Sequence, residues 1–305
     1  MTVTHVPVLV EAVLEGLAPG PEAVILDCTF GRGGHAGAIL SRMGPTGRVV
    51  AIDRDPDAIR AGLCLRDPRL EMVHARFDAL RGICGERDLA GRVDGVLFDL
   101  GVSSAQLDDP SRGFSIRAEG PLDMRMDPGE GESLGAWLGR VSERELAGVI
   151  ARFGEERHAR RIAGAIVRAR PIGTTTDLAA VVERAALSRE AAIHPATRTF
   201  QALRIHVNRE IESLEAALPA AVDVLRPGGR LAVISFHSLE DRVAKRFLRA
   251  ESREVPGPRG LPSSRRPRLR MVAARVRPSS DEIAANPRCR SAVLRVAERL
   301  SECGL

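Results

Sequence analysis

The chain of 305 residues has no tyrosine, one tryptophan, and only 3% aromatic residues in all. Lys245 is its single lysine, so nearly all of its 45 basic side chains are arginine. Those biases read as genome composition rather than function. No run approaches the roughly 20 apolar residues of a membrane span. The first residues lack a basic start followed by an apolar core, so no secretory signal is expected. Five cysteines, Cys28, Cys64, Cys84, Cys289 and Cys303, are scattered without a C-x-x-C pair. That spacing suits neither a disulfide framework nor a zinc site and fits a reducing cytoplasm.

What is present is ordinary in bulk. Hydrophobic residues make up 44% and charged residues 28%, as in a globular protein. The length carries a soft prior of two domains with ample core. A net charge of +5 leans towards a polyanionic partner.

The chain is organised around 23–37. Ala23-Val24-Ile25-Leu26-Asp27 reads as a buried strand, and Gly31, Gly33 and Gly34 follow it closely. An amphipathic segment, 36–43, comes next. Strand, glycine turn and helix is how a doubly wound α/β domain opens its ligand crevice. Gly31-Arg32-Gly33-Gly34-His35-Ala36 also fits the dinucleotide pattern G-x-G-x-x-A, which alone is a weak signal. Asp27 argues against a dinucleotide, because its carboxylate would stand near a pyrophosphate. S-adenosylmethionine has no phosphate and carries a sulfonium and an ammonium, so an acid suits it better.

Strands are expected at 48–53, 70–74 and 93–99, alternating with helical segments, which indicates a parallel sheet. A first helix is expected over 5–17 and another over 57–65. The alternation stops after 107. Helices are expected over 142–153, 155–169, 176–187 and 196–218, with Ser142 and Glu145 forming a capping box. This reads as a helical domain, 108–208, inserted into an α/β domain made of 1–107 and 209–305. Sheet pattern resumes at 230–235, followed by a helix over 239–250. A Pro- and Gly-rich loop spans 254–267, and two last strands span 269–276 and 291–297. A final hairpin-like pair of strands is the methyltransferase variant of the doubly wound fold.

Asp53 ends the second strand, twenty positions after Gly33. An acid there accepts hydrogen bonds from ribose hydroxyls in this fold class; the competing reading is a helix cap before Pro56. Phe77, after the third strand, could lie against an adenine or could be an ordinary core residue. Asp99 ends the fourth strand, where carboxyl ends line the crevice, and competes with a cap. Ser103, Ser104 and Gln106 add hydrogen-bonding groups on the same loop. His237 follows the fifth strand, and helix capping at Ser238 and Asp241 explains much of that run.

Arginines cluster twice. Arg152, Arg157, Arg160, Arg161, Arg168 and Arg170 lie in the inserted domain. Seven more, at 259, 265, 266, 268, 270, 275 and 277, occupy a stretch without an acid. A solvated face explains such runs in general, but an acid-free, Pro-rich arginine loop suits phosphate contacts better.

Taken together, the chain resembles the bacterial 16S ribosomal RNA cytosine-N4 methyltransferases, the MraW family, almost end to end. The resemblance rests on 5–9 (HVPVL), 27–35 (DCTFGRGGH), 98–104 (FDLGVSS), 112–115 (RGFS) and 120–127 (GPLDMRMD). It continues through 153–156 (FGEE), 198–205 (RTFQALRI), 235–242 (SFHSLEDR) and 286–292 (NPRCRSA). The family usually has Gly at 28 and Ser at 289, where this chain has Cys28 and Cys289. The resemblance implies a Rossmann-like, class I S-adenosylmethionine-dependent methyltransferase domain with an inserted all-helical domain for substrate recognition.

It also implies S-adenosylmethionine contacts from Gly33, Gly34, His35, Asp53, Phe77, Asp99 and Gln106. Asp99 is the candidate catalytic residue, and no metal is implied. The expected substrate is one cytidine of 16S rRNA in the decoding centre of the small ribosomal subunit, in the cytoplasm and away from membranes. A homodimer is left open. Competing classes are a nicotinamide-dependent dehydrogenase, a non-enzymatic RNA-binding protein and a methyltransferase acting on DNA or protein.

Overall fold

In a computed structural model, residues 7–186, 194–254 and 266–301 are described. The chain forms two compact units, Met1–Gly101 with Ile211–Leu305, and Val102–Glu210. Residues 102–107, expected with the sheet, count with the second unit, Gln106 among them.

The first unit opens with α1 (Val10–Leu17), β1 (Val24–Asp27), α2 (Gly34–Arg42), β2 (Arg48–Asp53) and α3 (Pro56–Cys64). It continues through β3 (Leu70–His74), α4 (Leu80–Glu86) and β4 (Val93–Asp99). The second unit holds α5 (Ser104–Asp108), α6 (Leu134–Arg140), α7 (Glu143–Gly154), α8 (Ala159–Arg168), α9 (Thr175–Ala185) and α10 (Thr197–Asn208). The chain then returns through α11 (Glu210–Val224), β5 (Leu225–Ser235), α12 (Ser238–Glu251), β6 (Leu269–Val276), α13 (Ser280–Ala285) and β7 (Val293–Arg299).

The seven strands form one sheet in the order β3-β2-β1-β4-β5-β7-β6. β1 to β5 run parallel, and β7 is antiparallel to both β5 and β6. The expected doubly wound sheet with a terminal antiparallel pair is therefore present. Strand order reverses at β1, which lies between β2 and β4, and ligands of such sheets bind at the carboxyl ends beside that switch.

Alternation along the strands splits the apolar residues between two faces. Leu26, Val50, Ile52, Val96, Phe98 and Val233 pack on one side, beneath α4, α11 and α12. Ile25, Val49, Ala51, Leu97, Ala232 and Ile234 pack on the other, beneath α1 and α2. Both faces are covered, which is why β1, β2 and β4 read as continuous apolar runs rather than alternating ones.

In the second unit α7 packs against α8 and α10, and α8 packs against α9. Leu146, Ile150, Ile162, Ile166, Leu178, Val182 and Leu203 are fully buried there. The stretch between α5 and α6 has little regular structure and is held by polar anchors. Buried Asn208 accepts from Met126 N at 2.8 Å and donates to the Met124 carbonyl at 2.7 Å.

The helix expected over 196–218 is two helices. Arg209 takes a left-handed conformation, φ 52°, and α11 starts at once. No glycine or proline marks the break; Arg204 pairs with Glu210 across it at 2.8 Å. The first helix starts at Val10, later than expected, because Leu9 is left-handed at φ 56°; His5 and Val6 lie outside the described residues. β5 starts earlier than the expected 230–235, and Pro227-Gly228-Gly229 form a register shift inside it, where Val93 faces Leu225 and Gly95 faces Arg230.

Candidate active site at the carboxyl ends of the strands

β1 pairs through Asp27 with Ala51 of β2 and Leu97 of β4. Both neighbours run on for two more residues, so Asp53 and Asp99 flank the segment that follows Asp27. That segment stays tied to them: Cys28 N donates to Leu97 O, and Phe30 N donates to Ile52 O. Asp99 N donates to the Thr29 hydroxyl at 2.6 Å. The glycine turn is thereby clamped between two acids.

Two glycines are demanded by the protein itself. Gly33 caps α2 at φ 77°, and a Cβ on it would meet the Phe30 ring at 2.6 Å. A Cβ on Gly34 would meet Pro7 at 2.8 Å. Pro7 therefore seats the segment before α1 against the turn, with Val8 and Leu9 buried beside it.

His35 is the centre of the charge arrangement. It is buried, its Nε2–H donates to the Val8 carbonyl at 2.9 Å, and its Nδ1 stands 3.4 Å from Asp99 Oδ2. Burial alone would lower its pKa, but the Asp99 hydrogen bond and charge, the Asp27 charge and the Val8 carbonyl together raise it from 6.5 to about 9. His35 is therefore an imidazolium at neutral pH. As a lone histidine it had no signal of its own in the sequence beyond the resemblance.

Asp27 is 1% exposed. Burial, opposed by His35 and the Thr29 N–H, raises its carboxyl to about 7. Asp27, expected as an exposed acid facing the ligand, is instead buried at the end of β1. Burial also raises Asp53, although the N–H groups of Asp55 and Gly31 pull it back. Those donors lie 2.8 Å from Oδ1 and 2.8 Å from Oδ2 respectively. Asp53 is not the cap of α3: Asp55 is, accepting from Asp57 N at 2.9 Å.

Asp27 Oδ2 and Asp99 Oδ1 are both buried without a hydrogen-bond partner. A buried polar atom left unpaired costs about 1–3 kcal/mol. Both belong to carboxyls that end adjacent strands, β1 and β4, the edge at which such sheets take their ligands. The two Asp53 oxygens offer about four acceptor sites, more than the backbone N–H groups of Gly31, Arg54 and Asp55 take up. These acceptors match an ammonium, a sulfonium and ribose hydroxyls, and they would repel a pyrophosphate. The chemistry of S-adenosylmethionine fits the residues present.

Phe77 follows β3 in a 3₁₀ turn, half-buried, and meets Phe98 edge-on with centroids 5.5 Å apart and an interplanar angle of 79°. Its ring contributes to the core and stays partly open. His237 caps α12, accepting from Glu240 N, while Glu240 accepts from Phe236 N and His237 N. The cap is His237 rather than Ser238. Gln106, in the second unit, forms a reciprocal capping box with Ser103: each backbone N–H bonds the other's side chain, at 3.2 Å and 2.9 Å.

The arginine-rich stretch near the end is less bare in space than in sequence. Arg268 pairs with Asp223 and with Glu251, and Arg270 pairs with Glu298 at 2.7 Å. Arg259 and Arg265 lie outside the described residues.

The family model of the MraW methylases matches residues 2–300. The chain belongs to the MraW methylase family. It is 53% identical over 311 residues to the ribosomal RNA small subunit methyltransferase H of Thiobacillus denitrificans, covering 100% of both chains. It is 55% identical over 303 residues to the protein of that name from Chromohalobacter salexigens, covering 97% of this chain and 92% of that one. Family membership makes the chain a methyltransferase.

Proposed function

We propose that this methylase takes a methyl group from S-adenosylmethionine and places it on the exocyclic N4 amine of a cytidine in 16S rRNA of the small ribosomal subunit, in the cytoplasm. The observation that carries the cofactor assignment is the pair of buried, unpaired carboxylate oxygens on Asp27 and Asp99. The relatives named small-subunit rRNA methyltransferase H carry the substrate assignment.

Asp53 holds the ribose hydroxyls, Phe77 lies against the adenine, and the Gly33–Gly34 backbone with His35 lines the amino-acid end. Asp99 completes the set. When bound, the cofactor supplies an electrophilic methyl group on a positively charged sulfur.

The chain's own residues supply position and charge. The N4 lone pair of cytosine is delocalised into the ring, so it attacks only when held in line at contact distance. Positioning of that kind supplies roughly 7–11 kcal/mol of a barrier. As the nitrogen–methyl bond forms and the sulfur–methyl bond breaks, the amine nitrogen gains positive charge and then releases a proton to solvent, and the negative charge of the Asp99 carboxylate would offset that positive charge. The His35 imidazolium holds Asp99 Oδ2, so the second oxygen keeps its orientation. A base must leave its stack to reach such a pocket, at a few kcal/mol. The helical unit, with its arginines, is assigned to holding the RNA.

The test is transfer of labelled methyl from S-adenosylmethionine to small-subunit RNA, with a parallel titration of the cofactor and of NAD. Transfer to RNA with binding of the first ligand alone supports the reading. Binding of NAD in preference, or no transfer to RNA, overturns it.

A further inference from the structure

The six arginines of the α7–α8 region do not share one fate. Arg152 lies over the Phe153 ring at 4.9 Å, and Arg170 donates to the Val141 carbonyl at 2.6 Å. Elsewhere in the unit, Arg125, Arg140 and Arg204 each meet a carboxylate, on Asp123, Glu132 and Glu210. Arg161 and Arg168 form no ion pair among the described residues, and neither does Arg184 of α9.

Those three side chains line one groove of about 340 Å³ between α8 and α9. Its floor is Ala165, Ala169, Val181 and Ala185, and no carboxylate lines it. Glu143 comes close to Arg168, since its Oε1 and Arg168 Nη1 each stand 3.1 Å from where a Cβ on Gly164 would lie, yet the two form no ion pair.

α8 is built to present this face. Ile162, Ala163 and Ile166 turn into the core, which leaves Arg161 and Arg168 exposed, two turns apart on one side. Seven residues of helix rise about 10.5 Å. That span exceeds what one phosphate can bridge. Guanidinium groups offer donors and no acceptor, so their complement is anionic. Three like charges around one concavity repel each other, and a chain of phosphates relieves that repulsion while releasing its own counterions. The small apolar floor leaves room for a ribose or base face between the charged rims.

We propose that the α8–α9 groove binds a single-stranded segment of the RNA substrate, with Arg161, Arg168 and Arg184 on successive phosphates. The inference rests on the functional reading above and adds to it the place on the helical unit where the RNA backbone is held.

The test uses the full chain and a single-stranded RNA dodecamer. Affinity is measured against salt for wild type, for Arg161→Gln/Arg168→Gln/Arg184→Gln, and for a control, Arg42→Gln/Arg60→Gln/Arg92→Gln. The control removes equal charge from exposed arginines of the other unit. Single strands lose about 0.7 of log–log slope per phosphate contact, so the groove variant is expected to lower the slope by about 2 and to weaken binding at least tenfold at low salt. The control is expected to keep the wild-type slope, and all three proteins to bind S-adenosylmethionine alike. An unchanged slope in the groove variant, or an equal loss in the control, overturns the proposal. Methyl transfer to small-subunit RNA is read on the same wild-type preparation. Failure of the functional reading thus shows as absent product there, and failure of the groove as an unchanged slope.

Discussion

His35 Nδ1 stands 3.4 Å from Asp99 Oδ2, and the ring's other nitrogen donates to the Val8 carbonyl at 2.9 Å. One buried imidazolium thus fixes both the acid at the end of β4 and the segment that precedes α1. The pairing ties cofactor-site electrostatics to stability.

His35 is raised from 6.5 to about 9 in the folded protein. A raised histidine stabilises fully below its unfolded value, and that contribution is lost as pH rises through the folded one. The window is therefore pH 6.5 to 9. His35→Asn is expected to cost about 1–3 kcal/mol at pH 6.5 and clearly less at pH 9.5, read by urea unfolding at both. An equal cost at both pH values would mean that the imidazolium charge is not what holds Asp99.

Asp27 runs the same way for a different reason. Burial raises its carboxyl from 3.8 to about 7, so its favourable contribution is complete below pH 3.8 and gone above 7. Asp27→Asn keeps the shape and cannot ionise. Its stability relative to wild type is expected to rise between pH 4 and 7 and to level off above. A flat difference across that range would show that Asp27 is ionised throughout.

Asp53→Ala is expected to weaken S-adenosylmethionine binding about tenfold to a hundredfold, the worth of a hydrogen bond to a charged acceptor, while RNA affinity survives. Isothermal titration with each ligand reads both. Wild-type cofactor affinity in this variant would remove Asp53 from the site.

Gly34→Ala drives a Cβ to 2.8 Å from Pro7. The segment carrying Val8 must shift, and the Val8–His35 bond loosens with it. The variant is expected to lose about 1–3 kcal/mol of stability, the usual cost of overpacking, and to bind the cofactor more weakly. An unchanged melting temperature and affinity would mean that Pro7 yields freely.

The parallel sheet was legible because strands buried on both faces read as apolar runs ending in acids, as at 48–53 and 93–99. The crevice was legible for the same reason, since Asp53 and Asp99 stand where those runs stop. The burial of Asp27 was not, because it depends on the neighbouring strands extending two residues further than β1. The engagement of Arg268 and Arg270 was hidden too: their acids, Asp223, Glu251 and Glu298, are distant in sequence. The break at Arg209 was hidden as well, because no glycine or proline marks it.

Nucleoside-level mass spectrometry of small-subunit RNA treated with the protein and isotope-labelled S-adenosylmethionine tests the central claim most directly. The expected result is labelled N4-methylcytidine at one position, absent when the protein is omitted. Label on another atom of cytidine, on another nucleoside or on no nucleoside at all would contradict it.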